Sequence, residues 1–196
     1  MKKLLMLGTC LIAVAATPAK AETYTDNREG SLSSLSGLYA GAYGGYDWTD
    51  ADVSGAGNVQ GFDYGVFAGY KIDYILDKTV NRLGLGLNGA VEGFYGWSEA
   101  DDGDFDKENE WGVSFRPGLS FINEYAHGLN PYGIFGWRRT EFEGTDLDGF
   151  ELGIGTEFVA YGNFGVRLDY SHTFYEDDNG LDPDSNDLRL GLAYHF

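Results

Sequence analysis

The chain has 196 residues, with 31 acidic against 13 basic side chains and a formal net charge of −18. That length bounds it to one domain or at most two small ones, and the acidic excess excludes nucleic acid as a partner because a basic footprint is absent. Gly (30), Tyr (14) and Phe (13) are abundant, a composition that suits neither a helical membrane protein nor an ordinary soluble core.

The first element in chain order is a leader. MKKLLMLGTCLIAVAATPAKA has a basic start at Lys2 and Lys3, an apolar run from Leu4 to about Ala16, and Ala19, Lys20 and Ala21 as a small-x-small cleavage site. This predicts a secretory signal peptide over 1–21, too short in its apolar run for a membrane-spanning helix. Cys10 lies inside that run, so it does not read as a lipidation site. Removing the leader takes three Lys and no acid, leaving 10 basic against 31 acidic side chains, a net of −21, and no cysteine. The mature chain therefore enters an oxidising compartment without a disulfide framework.

Residues 22–36 are polar and without a period, and read as a flexible lead-in. From Gly37 onward the signal is period two. In the first strand Leu38, Ala40, Ala42, Gly44, Tyr46 and Trp48 alternate with Gly41, Tyr43, Gly45 and Asp47. The second places Phe62, Tyr64, Val66, Ala68, Tyr70 and Ile72 against Asp63, Gly65, Gly69, Lys71 and Asp73. The third and fourth continue it with Leu85, Leu87, Val91, Tyr95 and Trp97, then Trp111, Val113, Phe115, Leu119 and Phe121. A fifth strand over 132–141 is ambiguous: Tyr132 and Ile134 argue for one parity, Phe135 and Trp137 for the other, and the first is the expectation. Three more follow, with apolar faces Phe150, Leu152, Ile154 and Phe158, then Phe164, Val166, Leu168 and Tyr170, then Leu188, Leu190, Leu192, Tyr194 and Phe196.

The connections at 50–58, 99–109, 141–149 and 175–187 are acidic, whereas those at 74–81, 123–130 and 159–163 are shorter or nearly neutral. An up-and-down meander puts alternate connections at opposite ends, so the acidic set shares one end.

Two architectures fit the alternation. A soluble lipocalin-type barrel buries its apolar face, and a transmembrane barrel turns it to lipid. The charges on the opposite face decide for the second: Asp63, Lys71, Glu92, Arg116, Glu157, Arg167, Asp169 and Arg189 can pair across a narrow interior. The expected fold is an all-β, eight-stranded antiparallel up-and-down transmembrane β-barrel over 37–196. A third-to-fourth hairpin symmetric about Asp104 would set Trp97 against Trp111, Tyr95 against Val113 and Glu92 against Arg116. Glu157 and Arg167 would approach each other similarly across the turn at 161–163.

With these residues in view the chain resembles the small eight-stranded outer-membrane barrels, the OmpA/OmpX-like group and its opacity-protein and porin-like relatives. SGLYAGAYGGYDW, GFDYGVFAGYKI, GFELGIGTEF, VRLDYSHT and the terminal LRLGLAYHF carry the likeness. The resemblance implies a Gram-negative outer-membrane location, outer-membrane lipid and lipopolysaccharide as surroundings, a monomer, and no peptidoglycan-binding domain. It also implies that Leu190, Leu192, Tyr194 and Phe196 form the closing-strand signal that the barrel-assembly machinery reads.

Candidate sites are few. Asp178, Asp182, Asp184 and Asp187 are spaced somewhat like a calcium loop but do not follow the EF-hand order, so solvated surface is the first reading and weak divalent binding the second. A barrel lipid hydrolase needs a His and a Ser on one face, yet in YSHTF His172 has the opposite parity to Ser171 and Thr173. His195 reads as inward and His127 as a turn residue. The expectation is a non-enzymatic protein without cofactor or metal, structural and surface-exposed in the envelope. The alternatives are a narrow porin-like channel gated at Glu92 and Arg116 or a host-interaction protein, with no residue naming a host partner.

Overall fold

A computed structural model describes residues 32, 33, 35–51, 59–80, 83–98, 107–122, 128–142, 145–159, 163–176 and 183–196. The expected leader 1–21, His127, Asp178 and Asp182 lie outside the described residues. Eight strands follow in chain order: β1 (Gly37–Ala51), β2 (Val59–Val80), β3 (Leu83–Ser98), β4 (Lys107–Ile122), β5 (Leu129–Phe142), β6 (Thr145–Val159), β7 (Phe164–Tyr175) and β8 (Pro183–His195). Each pairs antiparallel with the next, and β1 pairs with β8, so the sheet is a closed barrel. Closure pairs β1 with β8 and so leaves no free sheet edge along that seam.

The barrel is inverted relative to a soluble protein. Leu38, Phe62, Ile154, Leu190 and Leu192 are among the exposed large apolar side chains, whereas the buried set is dominated by Asp, Glu, Arg, Lys, Ser and Thr. Outward apolar residues answer to hydrocarbon, and inward polar ones answer to each other. Seven strands keep the predicted parity. Aromatics gather on the outer face toward the acidic end: Tyr64 stacks on Trp97 at 5.9 Å, and Trp111 meets Trp137 edge-on at 4.9 Å. Such rings suit the boundary between hydrocarbon and headgroups.

The fifth strand has the parity that was not expected. Phe135 and Trp137 are exposed, Ile134 is buried, and the Tyr132 hydroxyl donates inward to Asp169 Oδ1 at 2.5 Å. The two arginines that follow divide accordingly: Arg138 meets Glu110, Glu151 and Asp187 inside the barrel, and Arg139 pairs with Asp148 on the outer face.

The β3–β4 register also differs from the symmetric hairpin by two residues. Tyr95 lies opposite Trp111, Glu92 opposite Ser114 and Ala90 opposite Arg116. Trp111 consequently finds its indole partner on β5 and not on β3. The lead-in is tied down at its end: Leu32 bridges Tyr74, and Ser33 and Leu35 are buried.

Candidate functional site: the barrel interior

Because side chains alternate along a strand, each inward position faces a lumen of eight-strand width, which side chains can fill. Three layers fill it. Nearest the end that holds Gly37 and Phe196, Lys71 Nζ donates to Glu157 Oε2 at 3.1 Å, and His195 Nε2 lies 3.0 Å from Glu157 Oε1. Glu157 and Arg167 are opposite in register, but their side chains do not pair as expected. Glu157 is taken by Lys71 and His195, and Arg167 reaches further up the lumen.

The next layer centres on Glu92, which is fully buried. Arg167 grips it with Nη1 at 2.6 Å and Nη2 at 3.0 Å, Arg116 Nη2 lies at 2.9 Å, and the Tyr39 hydroxyl donates at 2.9 Å. Asp169 closes the group, 2.8 Å from Arg116 and 3.1 Å from Arg167. Glu92 and Arg116 thus do form the expected pair, diagonally and not directly opposite. Two guanidiniums held by two carboxylates satisfy most of their donors, the condition for tolerating buried charge.

Above this layer sit Phe67 and Phe94, inward aromatics that break the apolar-out rule and form a small core with Tyr39, Tyr43, Ala90 and Ala193. Arg167 stacks on Phe67 with its central carbon 3.7 Å from the ring centroid, while Arg138 and Arg189 lie over Phe94 at 5.3 and 5.4 Å. Cations therefore bracket the aromatic layer from both sides.

The third layer, toward the acidic end, is the densest. Arg138 reaches Glu151 at 2.5 Å, Asp187 at 2.6 Å and Glu110 at 3.3 Å. Arg189 reaches Asp63 at 2.8 Å and Asp187 at 3.0 Å, and also bonds Glu110. Lys107 pairs with Asp47 and, at 3.0 Å, with Glu110. The carboxylates of Asp47, Glu110 and Asp187 converge within 4.8 Å, close enough to hold a metal ion. All three already bond cations of the protein: Lys107 holds Asp47 and Glu110, and Arg138 and Arg189 hold Glu110 and Asp187.

Asp187 is therefore an interior ion-pair residue and not a loop ligand. Asp184, on the opposite face of β8, lies 3.8 Å from His172 Nε2. Two residues of the suggested calcium set thus point to different sides of the sheet. His172 Nδ1 donates to Asn186 Oδ1 at 3.0 Å, while Ser171 and Thr173 are buried in the lumen. Leu190, Leu192 and Tyr194 are exposed on the lipid side, and the Phe196 amide donates to Leu38 O at 2.9 Å across the closing seam.

Sequence reasoning missed Lys107, Glu110 and Arg138. The first sits in a stretch read as an acidic loop, the second at its edge, and the third lay on the strand of uncertain parity. The available signal was the charge itself: a Lys beside strand residues with no outward role belongs inside.

The outer membrane protein beta-barrel domain matches residues 7–196 of this chain. Neisserial surface protein A is similar in structure, with a TM-score of 0.52 and 18% identity over 82% of this chain and 98% of that one. The outer membrane enzyme PagL gives 0.47 and 18% over 81% and 99%. Ail, the attachment invasion locus protein of Yersinia pestis, gives 0.39 and 20% over 86% and 100%. At these identities the likeness is one of fold. Among curated proteins none matches.

Proposed function

This chain belongs to the outer membrane protein beta-barrel family, and on that premise we propose that it is a non-enzymatic, non-conducting barrel with a structural role in the Gram-negative outer membrane. The observation that carries the reading is the filled lumen, in which Phe67 and Phe94 lie between the Glu92 cluster and the Arg138 cluster. A path for ions would have to part both networks and the aromatic layer. In this reading the end with Gly37 and Phe196 faces the periplasm, and the acidic connections face outward among lipopolysaccharide, whose anionic groups divalent cations would bridge.

The non-enzymatic part is supported by His172, whose neighbours Ser171 and Thr173 point to the other side of the sheet. No described Ser or Thr bonds it.

Single-channel recording in planar bilayers tests the sealed lumen. The protein and its Glu92→Ala variant are both expected to be silent, because the Phe67 and Phe94 layer remains; steady current steps from the unmodified barrel would sink this reading. Deleting the gene is expected to raise envelope permeability to hydrophobic dyes, and unchanged permeability would remove the structural role.

The closing strand supports a part in assembly. Phe196→Ala is expected to reduce the heat-modifiable, folded fraction in cells, while refolding of the purified chain in detergent stays within about 0.5 kcal/mol of normal, as for a surface change. Equal losses in both would make Phe196 a stability residue only.

A further inference from the structure

β2 runs beyond its partner β1. Gly37 pairs with Lys71, and from Ile72 to Val80 β3 is the one described strand that pairs with β2. An unpaired strand edge at a barrel mouth leaves backbone donors and acceptors to be met by something else. Here the chain's own residues before β1 meet them. Ser33 N donates to Asp73 O at 2.8 Å, Asp73 N donates to Ser36 Oγ at 2.9 Å, and Leu32 bridges Tyr74.

The same segment turns into the lumen. Leu35 is 4% exposed and Ser33 5% exposed, and Gly37, at a φ of 145°, makes the bend that leads into β1. Ser33 Oγ donates to Asp73 Oδ2 at 2.7 Å, and Ser120 Oγ donates to Asp73 Oδ1 at 2.8 Å. Asp73 is fully buried and makes no ion pair with any described residue. Among the described residues its carboxylate is held by hydroxyls alone, one of them supplied by the segment. Asn88, which donates to Ser120 Oγ at 2.8 Å, also lines a cavity of about 20 Å³ with Lys71, Arg116, Tyr132 and Glu157, large enough for one water.

We propose that Leu32, Ser33, Leu35 and Ser36 form a releasable closure of this mouth. Docked, the segment covers the Asp73 carboxylate, which Ser120 links to Asn88 at the edge of the cavity. Undocked, it loses a few hydrogen bonds and one buried leucine, the carboxylate gains water in exchange for the Ser33 hydroxyl, and solvent reaches Asn88, short of the Glu92 network. The β1–β8 seam is untouched, so the barrel stays closed while its mouth opens. This goes beyond the sealed-lumen reading, because the aromatic layer blocks conduction whether or not the segment is docked.

A cysteine reports the two states, since Cys10 of the leader is the chain's single natural one. In the full processed barrel, Leu35→Cys is expected to react with a membrane-impermeant maleimide at least about tenfold more slowly than the same chain unfolded in urea, since a docked segment opens only locally. Adding Ser33→Ala is expected to speed the reaction several-fold or more, as loss of a hydrogen bond to a charged group does, without moving the heat-modifiable gel band. Reaction of the folded barrel at the unfolded rate, or a rate indifferent to Ser33→Ala, overturns the proposal. Hydrogen exchange of the unmodified protein gives a second reading should Leu35→Cys disturb the fold. The Ser33 and Asp73 amides are expected to be protected, and to lose protection in Ser36→Ala; rapid exchange at both in the unmodified barrel overturns it equally.

Discussion

Replacing Arg138 by leucine is expected to cost the folded barrel about 3–5 kcal/mol, the loss found when one partner of a buried ion network is removed. Arg138 is fully buried and serves Glu110, Glu151 and Asp187 together. Glu110 and Asp187 keep Arg189 after the change, but Glu151 has no other ion pair among the described residues. Its carboxylate would stay in a lumen that offers it no cation. The adjacent Arg139 gives the contrast. It lies on the outer face, half-exposed, against Asp148 at 2.7 Å and over Trp111 and Trp137, so Arg139→Leu is expected to cost less than about 1 kcal/mol. Urea-dependent folding into phospholipid vesicles measures both. The double variant Arg138→Leu with Glu151→Leu is expected to recover part of the loss, as coupled partners do. A larger cost at 139 than at 138 would mean that β5 has the other parity.

That contrast also shows what the sequence could reveal. Wherever one face of a strand was apolar throughout, as from Leu188 to Phe196 or from Phe62 to Ile72, the bilayer requirement alone determined parity, strand count and closure. On β5 the apolar residues fall on both faces, because Ile134 fills the lumen while Phe135 and Trp137 meet lipid. Hydrophobicity could not discriminate there, and neither could charge, because Arg138 and Arg139 are adjacent and one of them faces outward in either parity. Charge pairing across the barrel was less accessible. Glu157 and Arg167 are opposite in register, yet Arg167 reaches Glu92 on β3, four strands away from β7 in either direction around the barrel. A narrow lumen lets long side chains cross it, so the nearest opposite charge in the ladder is not the one that wins. The hairpin register failed for a related reason, since Trp111 reaches Trp137 and not Trp97, and a ring on one strand has two neighbouring strands to choose from. The segment before β1 carried no period at all, because its few contacts with Asp73 are made by serine hydroxyls and not by an apolar face.

The second large effect concerns the aromatic layer and the glycines that admit it. Phe67 points inward at the level of Gly41 on β1, and a Cβ built on Gly41 would fall inside the envelopes of both the Phe67 ring and the Leu192 carbonyl oxygen. The ring could swing aside only by displacing Arg167, whose guanidinium stacks on it at 3.7 Å. The carbonyl cannot move without opening the seam, for Gly41 lies opposite Ala193 where β1 and β8 close the barrel. Gly41→Ala is therefore expected to destabilise by about 1–3 kcal/mol, the usual cost of overpacking, even though alanine ordinarily gains about 0.5–1 kcal/mol over glycine inside a strand. Gly93 faces the lipid side on β3, where an added Cβ meets nothing nearer than the Gly112 carbonyl at 3.8 Å. There Gly93→Ala is expected to be neutral or stabilising by up to about 1 kcal/mol, because only the chain-entropy term remains. Pairing Gly41→Ala with Phe67→Leu should return part of the lost stability by making room in the same place, and should leave Gly93→Ala unaffected, as independent distant sites are. If Phe67→Leu fails to relieve Gly41→Ala, the Leu192 carbonyl, and so the seam itself, is what the glycine protects.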